Sequence, residues 1–223
     1  MSVRTKKDLH IPFSWTERRP VFLERFFYLP KQYEHAEKAV SIDWSSAAVF
    51  GNDRPVFLEV CSGNGQWIAE RAKASLEKNW VAVEMQFERA RKIWLKVFRE
   101  QIPNLYVVCA EARAFVRHYI LSESISEVFI NFPDPWPKLR HAKHRIVQTP
   151  FLQALARVVQ KEGRVTLVTD SPAYRDQMIR EFARVDSWLS EFASPYYRLD
   201  WSSYGESFFG NLWKNKGLEI FYL

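Results

Sequence analysis

Chemistry-bearing residues in this chain collect at the ends of short apolar runs. Val56–Val60 leads into Glu59-Val-Cys-Ser-Gly63-Asn-Gly65, Trp80–Val83 ends at Glu84, and Tyr106–Ala110 is followed by Glu111. Gly63 and Gly65 permit a tight turn and a close backbone approach by a ligand. The third glycine of the dinucleotide fingerprint is missing, which disfavours a nicotinamide or flavin. A glycine pair alone is also what a plain strand-to-helix turn needs. Glu84 follows the turn by about twenty residues, where a carboxylate can accept hydrogen bonds from both hydroxyls of a ribose. Taken singly it would read as a solvated acid. Turn and acid together point to a nucleoside, and no Gly-x-x-x-x-Gly-Lys-Ser/Thr loop is present to cradle a phosphate. S-adenosylmethionine fits, as an adenosine carrying a sulfonium and an amino acid.

Glu127–Asn131 opens the most specific segment, Asn131-Phe-Pro-Asp134-Pro-Trp136-Pro-Lys138. Its alternating prolines fix a rigid, non-helical loop. Such a loop is a good mount for one carboxylate, Asp134, and one aromatic, Trp136. Lys138, Arg140, His141, Lys143, His144 and Arg145 follow with no acid among them. A charge run is ordinarily a solvated face. Beside the proline loop it points to contact with a phosphate backbone. Arg164–Thr169 ends at Asp170, ahead of Ser171 and Pro172. Either Asp170 caps the next helix, or Ser171 does and leaves Asp170 to a substrate. Ser202-Ser203-Tyr204-Gly205-Glu206 is polar, and residue chemistry alone assigns it nothing.

The elements that must position these groups alternate along the chain. Helices are expected over Gln66–Ser75, Gln86–Glu100, Ala112–Tyr119, from Pro150 to about Gln160, and over Pro172–Ala183. In the second, Phe87, Ala90, Ile93, Trp94 and Val97 form one stripe. Leu218–Leu223 reads as a last strand. This order implies an α/β fold, a mostly parallel sheet with helices on both faces. Ligands in such sheets bind at the carboxyl ends of the strands. Residues 1–55, broken by prolines at 12, 20, 30 and 55, show no clean period. They are expected to form an arm with one helix over 34–49, ahead of a single domain over 56–223.

With 223 residues, 47% hydrophobic and 26% charged, the chain is long enough for one domain and too apolar for disorder. A net charge of +6 favours phosphate-bearing partners. Cys61 and Cys109 lie in separate apolar segments without a zinc pattern, so two buried thiols and no metal are expected. No apolar run approaches the length of a membrane span, and the N-terminus leads into no signal-like segment. A cytoplasmic protein with no membrane partner is expected. A monomer is the expectation, with a homodimer still open.

With these residues assembled, the chain resembles the tRNA (guanine-N7-)-methyltransferases of the bacterial TrmB type. The resemblance rests on Phe132-Pro-Asp-Pro-Trp-Pro-Lys138, then Arg140-His141 and Lys143, then Pro150-Phe151-Leu152. Val168-Thr169-Asp170 with Tyr174 and Met178 follows, and then Ser202–Glu206 and Gly217 with Ile220. It covers roughly residues 56–223. The resemblance implies a Rossmann-like class I methyltransferase fold, a doubly wound, mostly parallel sheet with an antiparallel C-terminal strand. S-adenosylmethionine is implied as donor and a tRNA variable-loop guanosine, position 46 by tRNA convention, as acceptor. Glu59, Glu84, Glu111 and Asp134 fall on the family's cofactor-binding acids, beside Gly63 and Gly65. Lys138, Asp170, Ser202, Ser203, Tyr204 and Glu206 fall on its substrate positions, and Arg140, His141, Lys143 and Arg145 on its RNA-contacting stretch. Asp134 is the first choice for a catalytic carboxylate. Cys61 stands where the family usually has glycine, Glu111 where aspartate is usual, and Gly205 interrupts the last signature. Two other readings keep parts of this pattern. One is a methyltransferase acting on a small molecule or a protein; the other is a non-catalytic tRNA-binding protein on the same fold, which Cys61 would favour.

Overall fold

The computed structural model describes residues 4–10, 19–30, 39–205 and 208–223. Its centre is the strand-helix alternation expected from the sequence. Strands β3 (Val56–Val60), β4 (Asn79–Glu84), β5 (Leu105–Cys109), β6 (Ile125–Asn131) and β7 (Val159–Thr169) are all mutually parallel where they pair. β3, β4 and β5 are buried along their whole length, which is why they read as continuous apolar runs rather than alternating ones. Helices α1 (Gln66–Ala74), α2 (Phe87–Arg99), α3 (Ala112–Tyr119), α4 (Thr149–Val158) and α5 (Pro172–Phe182) connect them. The start signals act as local chemistry dictates. Pro150 and Pro172 sit in first turns, where a missing N–H costs nothing, and the Ser171 hydroxyl accepts from the Tyr174 amide.

Two short elements, β1 (Val21–Leu23) and β2 (Phe26–Tyr28), lie in the segment expected to be arm and loop. They form an antiparallel hairpin whose second strand runs parallel to β5. Three residues are too few to show a period, so only the partner strand makes them strands. Of the helix expected over 34–49, residues 39–49 form turns and a single bridge from Ile42 to Ile120, and 34–38 lie outside the described residues. Two further elements complete the sheet region. Helix α6 (Phe208–Asn215) was not anticipated, and β8 (Phe221–Tyr222) is shorter than Leu218–Leu223 and antiparallel to β7.

The strand order is β1-β2-β5-β4-β3-β6-β7-β8. Connection order therefore reverses at β3, with β4 on one side and β6 on the other. The carboxyl ends of β3 and β6 flank that reversal, where doubly wound sheets open a crevice. Each face of the sheet has its own core. Phe115, Leu152, Leu155 and Met178 of α3, α4 and α5 pack on one face. Trp67, Ile68, Ile93 and Trp94 of α1 and α2 pack on the other, together with Tyr204 and Tyr222 from the C-terminal region.

Candidate active site

Beyond β3 the chain turns through Cys61, Gly63 and Gly65, all with positive φ (64°, 57° and 67°). Gly65 is required there twice over. It caps α1 in a left-handed conformation, and a Cβ would stand 2.6 Å from Ile93 Cγ1. Cys61 holds the conformation that glycine adopts freely, so the turn keeps its path with a side chain in place. The turn is fastened by Glu84 at the end of β4. Its Oε2 accepts from the Gly63 amide at 2.9 Å, and its Oε1 accepts from the Gln86 amide at 2.8 Å. Each oxygen keeps a second lone pair for a ligand.

Glu59 is 2% exposed, on the same sheet face as Phe129 and Asn131 of β6. Asn131 Nδ2 donates to Glu59 Oε1 at 2.8 Å, across the point where strand order reverses. Glu59 Oε2 is buried without a hydrogen-bond partner. Burial raises its carboxyl to about 7, against the lowering effects of the Asn131 bond and of the neighbouring Ser62 hydroxyl. Glu111 caps α3, its Oε2 accepting from the Ala114 amide at 2.9 Å. The Cys61 thiol is shifted as well. Burial and then Glu84, Glu59, Glu111 and Asp134 push it up to about 12, so it stays a neutral thiol.

After β6 the proline-rich loop bends sharply, with Phe132 and Trp136 both at positive φ (47° and 40°). Asp134 is exposed on this loop, and its Oδ1 accepts from the Trp136 amide at 3.1 Å. Lys138, Arg140 and Lys143 are exposed on the 3₁₀ turn that follows. Trp136, His141 and His144 form a ring cluster there, with centroids 5.2 to 6.1 Å apart. Arg145 departs from the expectation of a phosphate contact. It is 4% exposed and faces inward. Its Nε donates to Pro135 O at 2.7 Å, its Nη1 to Gln177 Oε1 at 2.5 Å, and its Nη2 to Trp136 O at 3.4 Å. The Tyr174 ring lies 4.9 Å from its guanidinium carbon. Arg145 holds the loop's shape, so the cationic surface is carried by its neighbours.

Asp170 lies at the end of β7, beside β6, and is half-buried. The cap of α5 belongs to Ser171, as one of the two readings anticipated. Ser202 is exposed on a short 3₁₀ turn, Ser202–Tyr204, and Glu206 lies outside the described residues. Tyr204, expected to face substrate, is buried instead. Its hydroxyl donates to Asn131 Oδ1 at 2.5 Å, and its ring stacks on Trp67 at 5.3 Å. Asn131 is thus a site residue that motif reading passed over. Its place two residues after Phe129, on the face of Glu59, was the available signal.

The residues fit S-adenosylmethionine. The orphaned, buried oxygen of Glu59 calls for a cationic donor, and Glu84 has acceptor capacity left beside a glycine turn open to a nucleoside. Among the described residues there is no cluster suited to a metal ion, and no helix is long and apolar enough to cross a membrane.

A family model described as "Putative methyltransferase" matches residues 53–223. The tRNA (guanine-N(7)-)-methyltransferase of Chlamydia muridarum is 42% identical over 216 residues, covering 96% of this chain and 94% of its own. That of Chlamydia caviae is 39% identical over 97% of this chain and 95% of its own. The enzyme of the same name from Lactobacillus delbrueckii subsp. bulgaricus is 40% identical over 62% of this chain. Among solved structures, the 16S rRNA methyltransferase KamB aligns with a TM-score of 0.53 at 20% identity, over 80% of this chain and 92% of that one. At that identity the likeness concerns the fold.

Proposed function

The chain belongs to the tRNA (guanine-N(7)-)-methyltransferase family, and from that premise we propose that it transfers a methyl group from S-adenosylmethionine to N7 of a variable-loop guanosine in tRNA. The observation that carries the site assignment is the Glu84 carboxylate fastening the Gly63 turn beside the buried, unpartnered Glu59 oxygen, at the strand ends where the order reverses.

Bound S-adenosylmethionine supplies an electrophilic methyl group on a sulfonium. The N7 atom of guanine has an in-plane lone pair and carries no proton, so the protein needs no general base there. Its task is alignment of the acceptor with the methyl group, which proximity alone can make worth several kcal/mol. Glu59 and Glu84 hold the amino-acid and ribose ends of the donor. Asp134 lies on the exposed loop beside that site and offers a carboxylate to a purine ring that gains positive charge. Lys138, Arg140 and Lys143, with His141 and His144, contact tRNA phosphates, while Asp170 and the exposed Ser202 border the acceptor. The base must become accessible from its stacked and paired surroundings, and phosphate contacts hold the RNA while it does.

The test is transfer of labelled methyl to unmodified tRNA transcripts, with nucleoside analysis of the product. The expected product is 7-methylguanosine, lost when the variable-loop guanosine is replaced. A folded Asp134→Ala protein is expected to lose most turnover; wild-type rates from it would remove Asp134 from the reaction.

A further inference from the structure

The C-terminal turn and the cofactor acid are joined by a buried polar chain. The Tyr204 hydroxyl donates to Asn131 Oδ1 at 2.5 Å, and Asn131 Nδ2 donates to Glu59 Oε1 at 2.8 Å. All three residues are buried: Tyr204 is 7% exposed, Asn131 7% and Glu59 2%. The directions are dictated by the groups themselves. A deprotonated carboxylate can only accept, so Asn131 must present its NH₂, and its remaining oxygen then needs a donor. Tyr204 is that donor. The arrangement leaves Glu59 Oε2 buried without a hydrogen-bond partner.

Tyr204 is in turn held in one place. Trp67 stacks on it at 5.3 Å, Tyr222 and Trp201 lie at 5.3 and 5.5 Å, and the Trp67 indole N–H donates to the Tyr204 carbonyl at 3.4 Å. The next residue, Gly205, has φ +90°, and a Cβ there would stand 1.9 Å from Arg71 Nη2. Residues 201–205 are therefore seated against α1 and β6 through Tyr204, and the seat ends on the carboxylate that faces the donor.

We infer that Tyr204 and Asn131 are positioning residues for Glu59, and that this chain couples seating of the C-terminal turn to occupancy of the cofactor site. The inference rests on the reading that Glu59 Oε2 receives the cationic amino group of S-adenosylmethionine. A free energy shared between two sites acts both ways. Seating of the turn favours the carboxylate geometry that binds the donor, and the bound donor in turn holds the turn that borders the acceptor.

The experiment measures S-adenosylmethionine binding to the full-length chain by calorimetry between pH 6 and 8.5, for wild type, Tyr204→Phe, Asn131→Ala and Glu59→Gln. The groups facing Glu59 are Glu84 of β4, Ser62 and Cys61 of the turn, Asn131 of β6 and Tyr204. Wild-type affinity is expected to rise with pH as Glu59 loses its proton. Tyr204→Phe keeps the ring and loses one hydrogen bond, so affinity should fall about fivefold. The midpoint of its pH profile should move upward, and Asn131→Ala should move the same midpoint further. A wild-type affinity and midpoint in both Tyr204→Phe and Asn131→Ala, alongside a weakened Glu59→Gln, would overturn the coupling and leave the role of Glu59 intact. A Glu59→Gln protein that binds as wild type does would overturn the underlying reading, and the coupling with it. If Tyr204→Phe does not fold, the Asn131→Ala midpoint decides.

Discussion

Two loops leave neighbouring strands at the centre of this sheet, and they are held in opposite ways. The turn after β3 is rich in glycine and presents backbone N–H groups, so its fastener is a carboxylate: Glu84 accepts from Gly63 and Gln86. The loop after β6 has Pro133, Pro135 and Pro137, which have no N–H to give. What it can present is carbonyl oxygen, and its fastener is a guanidinium: Arg145 donates to Pro135 and Trp136. A buried arginine is costly unless its donors are used. Here carbonyls, the Gln177 amide oxygen and the Tyr174 ring use them. The lesson is that a loop's own composition selects the chemistry of its anchor. Both loops hold non-glycine residues at positive φ, Cys61 in one and Phe132 and Trp136 in the other.

Substitutions at four positions sharpen this contrast. Arg145→Ala should have the largest effect, about 4 kcal/mol of stability in denaturant unfolding, because half-buried carbonyls and the Gln177 amide oxygen lose their donors together. Arg145→Lys should recover only part of it, since an ammonium lacks the planar fork; full recovery would show that charge alone holds the loop. Glu59→Gln tests the glycine side through pH. The folded-state carboxyl is raised from 4.5 to about 7. Its contribution to wild-type stability is thus complete below pH 4.5 and is lost as pH rises through 7. Melting curves should show Glu59→Gln level with wild type at pH 4 and more stable at pH 8, by up to about 3 kcal/mol. Gly65→Ala should cost about 2 kcal/mol, from its left-handed φ and its clash with Ile93. Cys61→Val should cost about 1 kcal/mol more than Cys61→Gly in the same assay, because a β-branched residue resists positive φ. Equal stabilities would mean that the turn relaxes.

Much of this was legible before any coordinates. Runs such as Leu105–Cys109, apolar at nearly every position, announce strands buried on both faces, and Pro150 and Pro172 announce helix starts. The β1–β2 hairpin was not legible, because Phe26–Tyr28 becomes a strand only by pairing with β5. Arg145 looked like its cationic neighbours, since charge type does not say which way a side chain points along a 3₁₀ turn. Tyr204 was placed among the substrate positions only by the resemblance, and a matching motif does not say which way a side chain points.

The sequence by itself determined the alternating fold, the chemistry of both loops, and which carboxylates end the strands, because local periodicity and backbone restrictions at glycine and proline are properties of short segments. Only the tertiary structure decided that Arg145 turns inward, that Tyr204 reaches Glu59 through Asn131, and that one Glu59 oxygen is left buried and unpartnered. The Arg145 partners lie 9, 10 and 32 residues away, and those of the Tyr204–Asn131–Glu59 chain 72 and 73, so these donors and acceptors meet only once the fold has closed around them.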